Sequence, residues 1–148
     1  MSIFKELIEL VRLLFATNPK DVNELEIVEF SHFPFKGFLA MSWCGKLITR
    51  EPDKISDTTK RHETTHLMQA KQYRSWIKYY IVYLKEWFKG NYYTIPFEVE
   101  AYANEDVLDY NDLYDPNTIK EKYTFKDRRS LFKSFRTVYE WKRYIKKL

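Results

Sequence analysis

The sequence is poor in cysteine, in histidine and in long apolar runs. Its 148 residues contain one cysteine and three histidines. The single Cys44 excludes an internal disulfide and any metal site built from several cysteines, so folding does not depend on an oxidising compartment. We expect Cys44 to be a small buried side chain in a strand. No stretch of 18 or more uncharged apolar residues occurs, which argues against a membrane-spanning helix.

The N-terminal segment, MSIFKELIELVRLLFATNP, has apolar residues at positions 3, 4, 7, 8, 11, 14 and 15. Glu6, Glu9 and Arg12 interrupt the uncharged core that a signal peptide would need. We therefore predict an amphipathic helix that docks on the rest of the protein. Without a signal peptide or a spanning segment, the expected location is the cytoplasm.

Length and composition predict one folded domain over residues 1–148. Hydrophobic residues make up 45% and charged residues 31%, the balance of a globular chain. Two apolar runs on either side of Cys44-Gly45 predict a bent or hairpin pair of strands that ends at Pro52, after a short strand in ELEIVEFSHF. Helices are predicted from Ser56 to about residue 73, then to Gly90, from Pro96 to about residue 110, and from Lys126 onward. The class is α+β and mainly helical, with one small sheet in the N-terminal third.

Charge is distributed unevenly along the chain. Residues 120–148 carry 11 Lys or Arg against 3 Asp or Glu, whereas residues 98–119 carry seven acidic residues and no Lys or Arg. Two explanations stay open: the two segments complement each other within the fold, or the basic C-terminal helix makes a peripheral contact with anionic membranes. We do not expect nucleic-acid binding, because no recognition motif accompanies the basic residues.

The segment HETTH combines His62, Glu63 and His66. Two histidines at i and i+4 lie on one helix face, so both imidazoles can reach one zinc ion. Glu63 is turned by about 100° from His62, beside such a metal rather than on it. A carboxylate in that place can act as the general base for a metal-bound water. Chance placement of this pattern is on the order of 0.4%, which favours a metal site over an ordinary surface helix.

A catalytic zinc site of this kind needs a third protein ligand. Glu98 and Glu100 lie on a predicted helix that could cross the first one. Because they are two positions apart, they point about 200° from each other, and only one can coordinate the same ion. Their spacing does not decide between them. His32, at a strand end, is a weaker candidate for a ligand or for a residue of the cleft.

The segments HETTH and FEVEAYANE resemble the gluzincins, the zinc peptidases with His, His and Glu ligands that include thermolysin and the HtpX type. Residues 33 to 105, with PFKGF, also resemble a group of small bacterial HExxH proteins. The resemblance implies a minimal zincin-like fold and favours Glu98 as the third ligand. Glu100 would then orient a metal-bound histidine. The usual supporting Asp is replaced by Tyr102.

The resemblance further implies that the strand within GFLAMSWCGKL forms the upper rim of a cleft, where an extended peptide could add as a strand. Tyr102 is a candidate for stabilising negative charge in the transition state, because a phenol can donate a hydrogen bond. The leading hypothesis is a Zn2+-dependent metallopeptidase acting on a peptide or protein substrate, alone or with a protein partner. The alternative is a structural or binding protein whose zinc only stabilises the fold.

Overall fold

A computed structural model describes all of residues 1–148. It contains α1 (Ile3–Ala16), β1 (Glu26–Glu29), β2 (Ala40–Trp43), β3 (Lys46–Thr49), α2 (Asp57–Ala70), α3 (Trp76–Phe88), α4 (Pro96–Asn104), α5 (Thr118–Lys122), α6 (Arg128–Lys133) and α7 (Val138–Ile145). This confirms the α+β, mainly helical class with a small sheet near the N-terminus. None of the helices is both long and apolar enough to cross a bilayer.

The three strands form one mixed sheet with β3 in the centre. β3 pairs in parallel with β1 and in antiparallel with β2. The predicted hairpin at Cys44-Gly45 is confirmed, and both turn residues have positive φ, 49° and 84°. A side chain at position 45 would collide with Val22, so glycine is required there. Cys44 is buried as expected, although it lies in the turn. β2 pairs with a strand on one side only, and its other edge faces α2.

Helix α1 docks on the sheet, but through a different face from the predicted one. Leu10 and Leu13 are buried, whereas the apolar positions that predicted the docked face are largely exposed. The reason is Glu6, whose buried carboxylate accepts hydrogen bonds from the backbone amides of Ser31 and His32. Because the Glu6 carboxylate contacts these two amides, the row of positions 6, 10 and 13 faces the interior of the protein.

Helices α2 and α4 pack against each other and carry most of the chemically interesting side chains. Ser56 is the N-cap of α2, and its hydroxyl accepts a hydrogen bond from the Thr59 amide at 3.1 Å. α4 begins at Pro96, which suits the first helical position. Seven of the nine residues of α4 are buried, because α7 covers its other side through Trp141.

Helix α4 ends at Asn104, six residues before the predicted end. The side chain of Asn104 donates to the carbonyl of Glu100 at 2.8 Å, and Arg61 donates to the carbonyl of Glu105 at 2.7 Å. Side chains thus hydrogen-bond to carbonyl groups that would accept from backbone amides in a longer helix, and α4 ends there.

The predicted C-terminal helix is split into α6 and α7. Ser134 ends α6, with its hydroxyl donating to the Leu131 carbonyl at 2.6 Å. Thr137 starts α7 by accepting from the Glu140 amide at 3.1 Å. This local cap restarts the helix in a new direction and brings Trp141 onto α4.

Candidate metal centre

Three buried side chains from α2 and α4 meet at one point. His62 and His66 lie one turn apart on α2, and Glu98 lies on the first turn of α4. The Nε2 atom of His62 is 3.3 Å from Glu98 Oε2, and the Nε2 atom of His66 is 3.2 Å from Glu98 Oε1. One ligand atom from each residue lies within 4.8 Å of the other two. Two imidazoles and a carboxylate therefore converge, and the carboxylate is Glu98, the candidate that the resemblance favoured.

Gln69 determines how His66 presents its ring. The side-chain nitrogen of Gln69 donates to the Phe97 carbonyl at 2.9 Å and to the Glu100 carboxylate at 2.7 Å. Both partners are acceptors, so the amide orientation is unambiguous and its oxygen faces Nδ1 of His66 at 2.9 Å. Nδ1 must then donate its proton to Gln69. In the neutral ring the lone pair lies on Nε2, which faces Glu98.

The other histidine, His62, lies next to Glu105, the residue that follows α4. Nδ1 of His62 lies 3.3 Å from the Glu105 carboxylate but forms no hydrogen bond with it. Glu105 is itself fixed by Lys146 at 3.0 Å, and its carbonyl accepts from Arg61. His66 thus has a hydrogen-bonded partner on its Nδ1 side, and His62 has a carboxylate close to its Nδ1, the positions from which metal-bound histidines are usually supported.

The ionisable groups of the centre favour the binding of a positively charged ion. Burial opposes protonation of His62, but Glu105 and Glu98 outweigh it and raise its pKa to about 10. Burial opposes ionisation of Glu98, but the two histidines outweigh it and hold its pKa well below the usual range. One oxygen of Glu98 accepts from the Tyr83 hydroxyl at 2.7 Å, while the other has no hydrogen-bond partner. The site thus stabilises positive charge between the imidazoles and an oxygen with free lone pairs.

Glu63 lies beside the three-residue cluster and lines a cleft of about 400 Å³ together with His66 and Glu98. Burial raises the pKa of Glu63. One wall of the cleft is strand β2, and the other comes from α3 and Tyr92. The lining is strongly apolar and aromatic, and includes Phe35, Phe38, Trp43, Tyr83, Trp87 and Tyr92. The only ionisable groups besides tyrosine hydroxyls that line it belong to the candidate centre.

Other predicted site residues lie elsewhere. Glu100 is buried, accepts from Gln69 and from the Tyr110 hydroxyl at 2.6 Å, and is not part of the cluster. It supports His66 indirectly through Gln69, whereas a direct contact with a histidine was expected. His32, the weaker candidate for a ligand or a cleft residue, does not line the cleft, and its ring lies 3.2 Å from Glu6 at the α1 contact.

Tyr102 is close to the centre but is not a cleft residue. Its ring packs against His62 with centroids 4.4 Å apart and does not line the cleft. The ammonium group of Lys142 sits 4.0 Å from the Tyr102 ring centroid. A cation–π contact thus anchors α7 over this side of α4. The predicted role of Tyr102 toward a substrate in the cleft is not supported by this placement.

No family model, no curated protein and no solved structure matches this chain. The interpretation of the centre therefore depends on the chain's own geometry.

Sequence reasoning missed the three groups that hold the cluster in place: Gln69, Glu105 and Tyr83. Gln69 stands three residues after His66, a spacing that places both on one helix face and could have indicated the contact. No comparable signal exists for Glu105 or Tyr83, whose positions depend on where α4 ends and how α3 packs.

Proposed function

We propose that this protein is a zinc-dependent metallopeptidase of the gluzincin type, formed by a single zincin-like domain. One observation carries the proposal: two imidazoles and one carboxylate converge beside a further carboxylate, Glu63, at the end of an apolar cleft. Zn2+ suits this donor set of nitrogen and oxygen atoms. A set of three ligands is typical of catalytic sites, whereas structural zinc is usually closed by four.

His62, His66 and Glu98 would hold the metal, with Gln69 and Glu105 fixing the two rings. Zinc bound there would lower the pKa of a coordinated water and polarise a peptide carbonyl. Glu63 would take a proton from the attacking water as the new C–O bond forms. It would then pass that proton to the amide nitrogen as the C–N bond breaks, so that the products are a carboxylic acid and an amine.

The edge of β2 that faces away from β3 would orient the substrate. Residues of β2 line the cleft, and the strand pairs with β3 on its other side. Backbone groups on the edge that does not pair with β3 would hydrogen-bond to an extended peptide laid along it. The Ser42 amide contacts Glu63, so this edge lies beside the proposed base. The apolar walls would then accept a large hydrophobic side chain next to the scissile bond.

Zinc analysis tests the metal site. We expect about one zinc per chain in the wild type, loss of zinc in Glu98→Ala and in the size-matched Glu98→Gln, and retention in Glu100→Ala. Circular dichroism checks that each variant is folded. A wild type without zinc after reconstitution at neutral pH, or zinc retained in both Glu98 variants, would overturn the assignment.

Glu63→Gln separates an enzyme from a structural zinc protein. If Glu63 is the general base, the variant keeps its zinc but loses hydrolysis of a broad peptide library by about 10²-fold or more. If wild type and variant bind zinc equally and neither cleaves any peptide, the alternative holds, in which the zinc only stabilises the fold.

A further inference from the structure

Helices α1 and α3 each expose a row of large apolar side chains. In α1 the row is Phe4, Ile8, Val11 and Phe15, with exposed fractions from 55% to 73%. In α3 the row is Ile77, Ile81, Leu84 and Phe88, with exposed fractions from 38% to 80%. Both rows have the spacing i, i+4, i+7, i+11, which lines up side chains along one face of a helix. Single exposed apolar residues are normal, but two complete helix rows are not.

The two rows belong to neighbouring helices that are joined at the cleft. Trp43 of β2 donates from its indole to the Leu10 carbonyl of α1 at 2.8 Å, and its ring stacks on Tyr80 of α3 with centroids 4.4 Å apart. Trp43 also lines the cleft. Leu84 belongs to the α3 row and lines the cleft as well, so this row borders the cleft opening.

Exposed residues at the cleft opening extend the α3 row. Phe35, Phe38 and Trp87 line the cleft and are 66%, 41% and 42% exposed. Tryptophan at the edge of an apolar helix face is typical of segments that lie at the headgroup level of a bilayer. We call the two rows together with these three side chains the docking surface.

The charges around the docking surface are cationic. Lys5, Lys78 and Lys85 are exposed and form no ion pair. The only carboxylate of α3, Glu86, forms ion pairs with Arg128 and Lys89, each at 2.8 Å.

Neither acidic residue of α1 offsets these lysines. Glu6 is buried and accepts hydrogen bonds from two backbone amides, and Glu9 forms an ion pair with Arg12 at 2.6 Å. The unpaired charged side chains that α1 and α3 themselves carry are therefore lysines.

We propose that the docking surface binds the interface of a bilayer that contains anionic phospholipids. Apolar rows with flanking lysines are the pattern of helices that lie in the headgroup region with their apolar side chains inserted. A second copy of the chain fits less well. A symmetric dimer through this surface would place the free lysines of both copies in one interface, where neither α1 nor α3 supplies a free carboxylate to pair with them. On a membrane, the cleft would open beside the lipid surface.

Vesicle binding tests this proposal with the full-length chain. We expect the protein to cosediment with vesicles of phosphatidylcholine mixed with phosphatidylglycerol, more weakly with phosphatidylcholine alone, and less as salt increases. Each of the double variants Ile81→Glu with Phe88→Glu, and Ile8→Glu with Phe15→Glu, should lower the partition coefficient roughly tenfold or more. All four positions are outside the cleft lining, so the candidate centre stays intact.

The matched control makes the same chemical change at exposed leucines outside the docking surface. Leu108 and Leu113 are 80% and 74% exposed. The double variant Leu108→Glu with Leu113→Glu should bind vesicles like the wild type. Glu98→Ala should also bind like the wild type, because the proposal does not depend on zinc or on peptidase activity.

Three results would overturn the proposal. The first is no binding to anionic vesicles. The second is binding that survives both helix variants but is lost when Arg136 and Arg143 are changed to Glu, which would assign membrane contact to the C-terminal segment. The third is no vesicle binding together with a dimer that sedimentation velocity detects without lipid. If the helix variants dissociate this dimer, the surface serves self-association instead.

Discussion

At the scale of single residues, Gln69 is the most informative side chain of the centre. It connects the Nδ1 atom of His66 to Glu100 and to the backbone of α4. Gln69→Leu removes these hydrogen bonds while approximately keeping the volume. We expect zinc affinity to fall about 10- to 100-fold, because His66 loses the acceptor that fixes its tautomer and orientation. Competition with a chromophoric chelator measures this affinity.

Gln72→Leu is the matched control for that prediction. Gln72 follows α2 at an exposed position and donates only to the Met68 carbonyl. It should bind zinc like the wild type. Equal affinities for Gln69→Leu and Gln72→Leu would show that the amide of Gln69 does not support His66 as a ligand.

How much of the centre could be predicted from the sequence depends on how local each contact is. His62, Glu63 and His66 lie within one helix, where spacing alone determines which face they share. Glu98 was favoured over Glu100 only through a resemblance, since spacing left both open. Glu105 could not be predicted, because its place depends on the early end of α4.

At the scale of elements, α1 shows why a correct helix can be assigned the wrong buried face. Its periodicity identified an apolar row, and the usual expectation buries such a row. The structure instead buries Glu6, because two backbone amides of another segment need its carboxylate. The split between α6 and α7 had a local signal, Thr137 three residues before Glu140, that apolar spacing alone overlooked.

The Glu6 contact predicts how stability depends on pH. Burial raises the pKa of Glu6, but the hydrogen bonds from Ser31 and His32 outweigh it, and the net pKa is lowered. A lowered folded-state pKa stabilises the fold above the unfolded pKa of about 4.3, and this contribution is lost as the pH falls through the folded pKa. Glu6→Gln should therefore cost about 1–3 kcal/mol near neutral pH, and the difference from wild type should shrink below about pH 4.

Urea unfolding of wild type and Glu6→Gln across this pH range measures the difference. Glu29→Gln makes the same substitution at an exposed position of β1 and serves as the control. It should follow the wild-type curve closely. A Glu6→Gln deficit that stays constant down to pH 3 would mean that the ionised carboxylate is not what stabilises the α1 contact.

At the scale of the whole molecule, the uneven charge distribution is partly resolved within the fold. Lys146, from the basic C-terminal segment, contacts Glu105 at 3.0 Å and Asp106 at 2.6 Å in the acidic segment. Arg128 is buried and pairs with Glu86 of α3, outside the acidic segment, so the support comes from the Lys146 contacts. These contacts support intramolecular complementarity, one of the two explanations that the sequence left open. They also connect the end of the chain to the candidate centre, because Glu105 is the carboxylate behind His62.

That connection predicts that a substitution near the C-terminus changes the centre. Lys146→Met should lower the free energy of unfolding by about 0.5–1 kcal/mol, and added salt should narrow the gap to wild type. Because Glu105 loses the Lys146 ammonium group that fixes it, the affinity for zinc should also fall a few-fold. Lys147→Met, its neighbour without an ion pair, is the control. A double-mutant cycle with Glu105→Gln measures the coupling free energy between the two residues. If the changes in zinc affinity caused by Lys146→Met and Glu105→Gln are additive in the double variant, the two residues act independently.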